Sequence, residues 1–322
     1  MNNWLKKLKY NPLSSLSSTK NKAIQYFVKR DLLEEEVEPI KTIWEEPYAQ
    51  KIIRKQLTDG SWKPMGKPSQ YNENRHLWAV FKSLRELVPK YSLNKKHKCT
   101  RKAAEFIFRC QTEEGDIRGI YSNQYMPNYM GALLELLNKA EFHDDPRIEK
   151  GFQWFLSMRH TDGGWGLPIL TKPYTWQEVY ALPAPISPDK TKPSSHWLTG
   201  MVLRAFAAHP KYKNCNEAKE AGNLLISRFF QRDKYSSRQD KSYWFKFYIP
   251  FFWTDILSAL DTVSKLGFTK DEPKIKEGLQ YFIDEQQSDG RWGLHFMMMK
   301  NDPDNSYWFD LEVCRVFKMF YS

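Results

Sequence analysis

Gln56-Leu57-Thr58-Asp59-Gly60-Ser61-Trp62 returns, little changed, as Gln286-Gln287-Ser288-Asp289-Gly290-Arg291-Trp292. Both read Q-x3-G-x-W. Arg159-His160-Thr161-Asp162-Gly163-Gly164-Trp165 has the same form with Arg for Gln, and Gln111-Thr112-Glu113-Glu114-Gly115-Asp116-Ile117 has it with Ile for Trp. The glycines at 60, 115, 163 and 290 are spaced by 55, 48 and 127 residues. The last gap is about two periods and predicts a degenerate copy near Gln231–Tyr235. A second phrase repeats at the same offset of 127: Pro146, Ile148, Gly151 and Phe155 align with Pro273, Ile275, Gly278 and Phe282. Two independent phrases with one offset imply internal duplication, with a unit of about 50 residues.

The phrases read as helical punctuation. Asp144 or Asp145 can cap a helix whose first turn holds Pro146, and Asp271 with Pro273 repeats the arrangement. Ile148, Phe152 and Phe155, like Ile275, Leu279 and Phe282, are three to four apart and form one apolar stripe. The Asp-Gly pair closes the helix, because glycine accepts left-handed backbone. The Trp then folds back as an apolar plug, while the Gln can bond the loop or the start of a neighbouring helix.

A second set of helices falls between these: Asn74–Val88, Pro127–Asn138, Ser195–Ala208, Pro250–Leu266 and Ser306–Tyr321. Each opens with an aromatic, in turn Trp78, Tyr129, Trp197, Trp253 and Trp308. This set is the more apolar and is expected to be buried on most sides, while the Lys- and Glu-rich first set faces outward. The expected fold is all-α, an (α/α) toroid or barrel of five to six helical hairpins. Residues 1–42 form an N-terminal helical extension and residues 43–322 the toroid.

The Q-x3-G-x-W phrase resembles the QW motif of squalene-hopene and oxidosqualene cyclases. The hairpin order resembles the α/α toroid that terpenoid cyclases share with protein prenyltransferase β subunits. The N-terminal layout is similar to that of uncharacterised bacterial and archaeal prenyltransferase-like proteins. The resemblance implies a cavity for an isoprenoid and, in cyclases, a D-x-D-D acid whose middle Asp protonates an alkene. This chain has no D-x-D-D, no D-D-x-x-D beyond the near miss Asp144-Asp145, and no D-x-C zinc motif. Asp310, Cys314 and His196 are the nearest approach to the transferase zinc ligands, and no metal or other cofactor is expected. The acids left for the family chemistry are Asp255 and Asp310, each two residues past a helix-opening aromatic. Equivalent hairpins would set them at one level, where neighbouring carboxylates can share a proton. The alternative for each is a cap or an ion pair.

The aromatics that open the second set, Trp78, Tyr129, Trp197, Trp253 and Trp308, together with Phe252 and His196, can line one end of the ring as a π-rich pocket for an apolar chain. They can equally fill the centre. The net charge of +11 comes from lysines spread along the whole chain and reads as a solvated surface; no nucleic-acid motif accompanies it. Trp4-Leu5-Lys6-Lys7-Leu8-Lys9-Tyr10 mixes apolar and basic residues, suited either to peripheral contact with an anionic membrane or to docking on the protein. Four scattered cysteines with no CxxC pair, no leader and no run of about 18 apolar residues fit a cytoplasmic protein. The function so read is a cyclase- or transferase-like toroid that binds, and as an enzyme would transform, an isoprenoid or other lipid. The alternative is a non-catalytic interaction scaffold with a filled axis.

Overall fold

Helix boundaries follow from local chemistry, and a computed structural model describes residues 3–66, 74–235, 239–293 and 304–322. A 3-10 turn, Asn3–Lys7, precedes α1 (Leu13–Ser18) and α2 (Lys22–Phe27), and α2 continues as a π-helical segment, Val28–Leu33. Then come α3 (Pro47–Ile53), α4 (Arg75–Tyr91), α5 (Lys98–Arg109), α6 (Pro127–Lys139), α7 (Pro146–Ser157) and a short α8 (Trp176–Tyr180). The chain ends with α9 (His196–Ala208), α10 (Asn216–Ser227), α11 (Ile256–Lys265), α12 (Pro273–Asp284) and α13 (Asn305–Tyr321). The described residues contain no strand beyond isolated bridges.

The helices form two concentric rings. In the inner ring α4 packs on α6, α6 on α9, α9 on α11 and α11 on α13. Helix α13 packs on α2 and its π-helical continuation, and α2 returns to α4, so residues of the N-terminal segment occupy the sixth inner place. The outer helices α3, α5, α7, α10 and α12 lean on the inner ones, and α1 lies against α2 and α13. The burial follows: twelve consecutive residues of α6, Pro127 to Asn138, are buried, whereas α7 buries only the stripe Ile148, Gly151, Phe152, Trp154 and Phe155. Because an outer helix returns the chain after each inner one, the inner helices run parallel, with their N-terminal ends at one mouth and their C-terminal ends at the other.

The recurring phrases tie the outer ring. Gln56, Gln111 and Gln286 each donate from Nε2 to the glycine carbonyl four residues on, at 3.0, 2.8 and 3.0 Å. Each also donates to a carbonyl on the next outer segment: Cys99, Arg147 and Tyr10, at 2.8, 2.8 and 2.9 Å. Arg159 keeps the first bond, to Gly163 at 2.8 Å, and replaces the second with an ion pair to Glu220 of α10. Trp62, Trp165 and Trp292 each donate to a carbonyl ten residues earlier, those of Ile52, Phe155 and Phe282. The outer helices end before these phrases, at Ile53, Arg109, Ser157 and Asp284, so the glycine does not close the helix as expected; it is required at the turn that follows. At Gly115 φ is +105°, and an added Cβ would sit 2.5 Å from the Lys150 carbonyl oxygen.

Two further expectations are corrected. Asp145 caps α7 through the Arg147 amide, but α12 is preceded by Glu272 with no side-chain cap, so Asp271 does not repeat the role. The helix expected from Pro250 begins only at Ile256, because Asp255 caps it in a reciprocal capping box with Ser258. The segment before it is an irregular loop carrying Phe251, Phe252 and Trp253. At the N-terminus Trp4 and Leu8 are buried and the first turn packs on α13, so these apolar groups face the protein.

Candidate ligand cavity

The two ends of the inner ring differ in chemistry. At the N-terminal end the aromatics pack on one another. Trp78 meets Tyr129 edge-on with centroids 5.3 Å apart, Phe252 lies 6.1 Å from each, and Phe81 completes the group. Phe252 continues to Trp253 at 4.5 Å, and Trp253 stacks on Trp197 at 4.5 Å. Among the described residues these side chains pack together across this end of the axis. His196 stands apart, stacked on Trp244 at 4.8 Å with Asp233 3.5 Å from its Nδ1, and burial lowers its pKa.

Arg204 forms the layer beneath. Its Nε binds Glu135 at 2.8 Å, and its Nη1 and Nη2 donate to the Trp253 and Phe252 carbonyls at 3.2 and 2.8 Å. It thereby fixes the aromatic loop to α6 and α9.

On the other side, at the C-terminal ends of the inner helices, lies a cavity of about 630 Å³. Its walls come from α2, α4, α6, α11, α13 and residues 249–251. The apolar part includes Phe27, Phe81, Val88, Leu136, Phe251 and Trp308. Of the sequence-expected ligand residues only Trp308 belongs to this wall, where it packs edge-on against Phe27 and Tyr91. The charged residues of the lining are paired: Lys90 with Glu86 behind it at 2.8 Å, Glu135 with Lys139 at 2.7 Å, Asp261 with Lys265 at 2.6 Å, and Arg315 with Asp31 and Glu312. The lysines stand where the helix dipoles are negative, each four residues after its acid, the favourable order. Burial raises the Glu135 pKa, but Lys139 and Arg204 outweigh it and hold the carboxyl down at about 2.

Arg85 is the exception in this wall. Among the described residues no carboxylate lies within ion-pair distance of it, and its Nε is buried without a hydrogen-bond partner. Its guanidinium lies over the rings of Phe252 and Tyr248, at 5.1 and 5.7 Å. Burial lowers its pKa, and nearby Arg204 adds to this, while Glu86 and Glu135 attract it from a distance.

Neither acid singled out from the sequence belongs to the cavity wall. Asp255 is fully buried at the start of α11; its Oδ1 accepts from the Ser258 amide at 2.8 Å, and burial raises its pKa to about 7. Asp310 lies inside α13 and accepts from Arg291 Nε at 2.8 Å and the Trp292 amide at 3.2 Å. Burial still dominates and raises its pKa to about 6. The two are therefore not equivalent, one being a cap and the other an ion-paired helix residue. Among the described residues no three His, Cys, Asp or Glu side chains gather as a metal site, so His196, Asp310 and Cys314 are not brought together as one. No described helix is long and apolar enough to cross a membrane.

The charged wall was not singled out from the sequence, although its signal is there. Glu86-x3-Lys90, Glu135-x3-Lys139 and Asp261-x3-Lys265 each fall in the closing turns of an inner helix.

Part of the chain is similar to a known family. Residues 79–185, about a third of the chain, match the family model of the squalene-hopene cyclase C-terminal domain. No curated protein matches the chain. Among solved structures, a variant of the type II terpene cyclase MstE from Scytonema, in complex with geranylgeranyl dihydroxybenzoate, is 11% identical, covers 88% of this chain and 81% of its own, and has a TM-score of 0.45. A novel alpha-amylase from Clostridium perfringens is 10% identical, covers 93% of this chain and 86% of its own, and scores 0.45. Likeness at this level carries no functional argument. The doubled ring is an α/α toroid, and its residues 79–185 are similar to the squalene-hopene cyclase C-terminal domain.

Proposed function

We propose that this toroid binds an isoprenoid-type ligand in the cavity at the C-terminal ends of its inner helices. The observation that carries the reading is the cavity itself: about 630 Å³, within the usual range of small-molecule sites, and walled by Phe27, Phe81, Leu136, Phe251 and Trp308. The match to the squalene-hopene cyclase C-terminal domain supports the ligand class, and the common geometry of the Gln, Gly and Trp phrases supports reading them as QW-type repeats. The reading is one of binding, since Asp255 and Asp310 stand outside the wall.

Native mass spectrometry of protein from its own cells, with lipid extraction, tests it. A copurifying isoprenoid supports the site. An empty protein that also refuses added polyprenyl alcohols overturns it. That outcome selects the second reading, an interaction scaffold, which the packed aromatics Trp78, Tyr129, Phe252 and Trp253 favour.

A further inference from the structure

A buried guanidinium without a counter-ion is costly, because desolvation is not repaid by a partner. The cavity wall avoids this cost everywhere else. Lys90 has Glu86 and Asn305, Lys139 has Glu135, Lys265 has Asp261, and Arg315 has Asp31 and Glu312. Arg85 alone among the arginines and lysines of this wall has no hydrogen bond or ion pair among the described residues; the residue is half-buried and its Nε is fully buried. It is also held in place: Phe252 and Tyr248 lie against its guanidinium, and Arg204 pins the Phe252 carbonyl at 2.8 Å. A planar fork held at the edge of an apolar cavity suits a carboxylate or phosphate oxyanion, which it can engage with two parallel bonds.

We infer that Arg85 is the anchor for the oxyanion head, carboxylate or phosphate, of an amphiphile whose apolar chain lies along Phe81, Leu136, Phe251 and Trp308. This rests on the cavity being the ligand site and specifies which class of ligand it takes. The neighbouring cations already have acidic partners within the chain. Arg85 acts here in binding, not in a reaction step.

The test compares farnesoic acid, farnesyl monophosphate and farnesol by isothermal titration calorimetry on the intact protein. The wild type is expected to bind at least one of the two anions about tenfold or more tightly than the alcohol, the scale of a charge-assisted hydrogen bond. Whichever anion is preferred identifies the head as carboxylate or phosphate. Arg85→Gln is expected to remove the preference and leave farnesol affinity unchanged, and Arg85→Lys to retain part of it. Without ligand, Arg85→Gln is expected to melt no lower than the wild type, since it relieves an unpaired charge; a purely structural arginine would lower the melting temperature. Equal affinity for the three probes, or a preference that survives Arg85→Gln, overturns the inference and leaves the cavity reading intact. Failure of all three to bind overturns both.

Discussion

Asp255 shows how burial turns a capping residue into a titratable liability. Its folded pKa of about 7 stands above the ordinary value of 3.8, so the folded state holds the proton longer than the unfolded chain. Stability is therefore highest in this respect below pH 4, falls as pH rises to about 7, and levels off above. The full loss is about 4 kcal/mol on the pKa difference. Asp255→Asn keeps a competent cap and removes the ionisation. Chemical denaturation from pH 4 to 8 is expected to show a flatter profile for the variant and greater stability than the wild type at pH 8. Glu135 has the opposite sign. Held down at about 2, it contributes stability above its ordinary 4.5 that is lost as pH falls toward 2. Glu135→Gln leaves Lys139 and Arg204 without their shared carboxylate, and urea unfolding at pH 7 is expected to register a loss of about 3–5 kcal/mol.

At the scale of elements, the Gln and Gly of each recurring phrase join one outer helix to the next. Gly115→Ala forces a Cβ against the Lys150 carbonyl from a left-handed backbone. The expected cost is above the roughly 1 kcal/mol of an ordinary helical Gly exchange, read as a lower melting temperature. The phrase also shows how far local reading reaches. The bonding of Gln to the loop and to a neighbouring outer segment, and the Trp plug, follow from residue types and spacing. The start of α11 did not, because Pro250 to Trp253 has the composition of a buried helix, and the Asp255–Ser258 box decides the boundary.

At the scale of the molecule, the ring closes through the N-terminal segment. Gln286 exchanges two hydrogen bonds with the Tyr10 backbone, the Tyr10 amide donating at 3.0 Å and the Gln286 amide donating back at 2.9 Å. Arg315 binds Asp31, and Trp308 packs on Phe27. We propose that residues 13–33 are part of the ring and not an appendage. Removing residues 1–33 is expected to uncover Trp308 and the cavity wall and to yield a chain with increased binding of a hydrophobic dye and loss of a cooperative melt. A truncated protein that melts like the full chain would refute this.

The sequence by itself determined the alternation of outer and inner helices, since helix period and proline starts are local properties that repeat every 50 or so residues. It also marked the aromatic residues that meet at the N-terminal ends of the inner helices. Only the tertiary structure decided which end of the ring is open. Among the described residues, Trp78, Tyr129 and Phe252 pack on one another, and Phe252 continues through Trp253 to Trp197, at the end expected to hold a ligand. The opening falls instead among Arg85, Glu135, Lys139 and Trp308. Whether converging side chains meet or leave a gap depends on the radius of the closed ring, and that is set by packing between helices hundreds of residues apart.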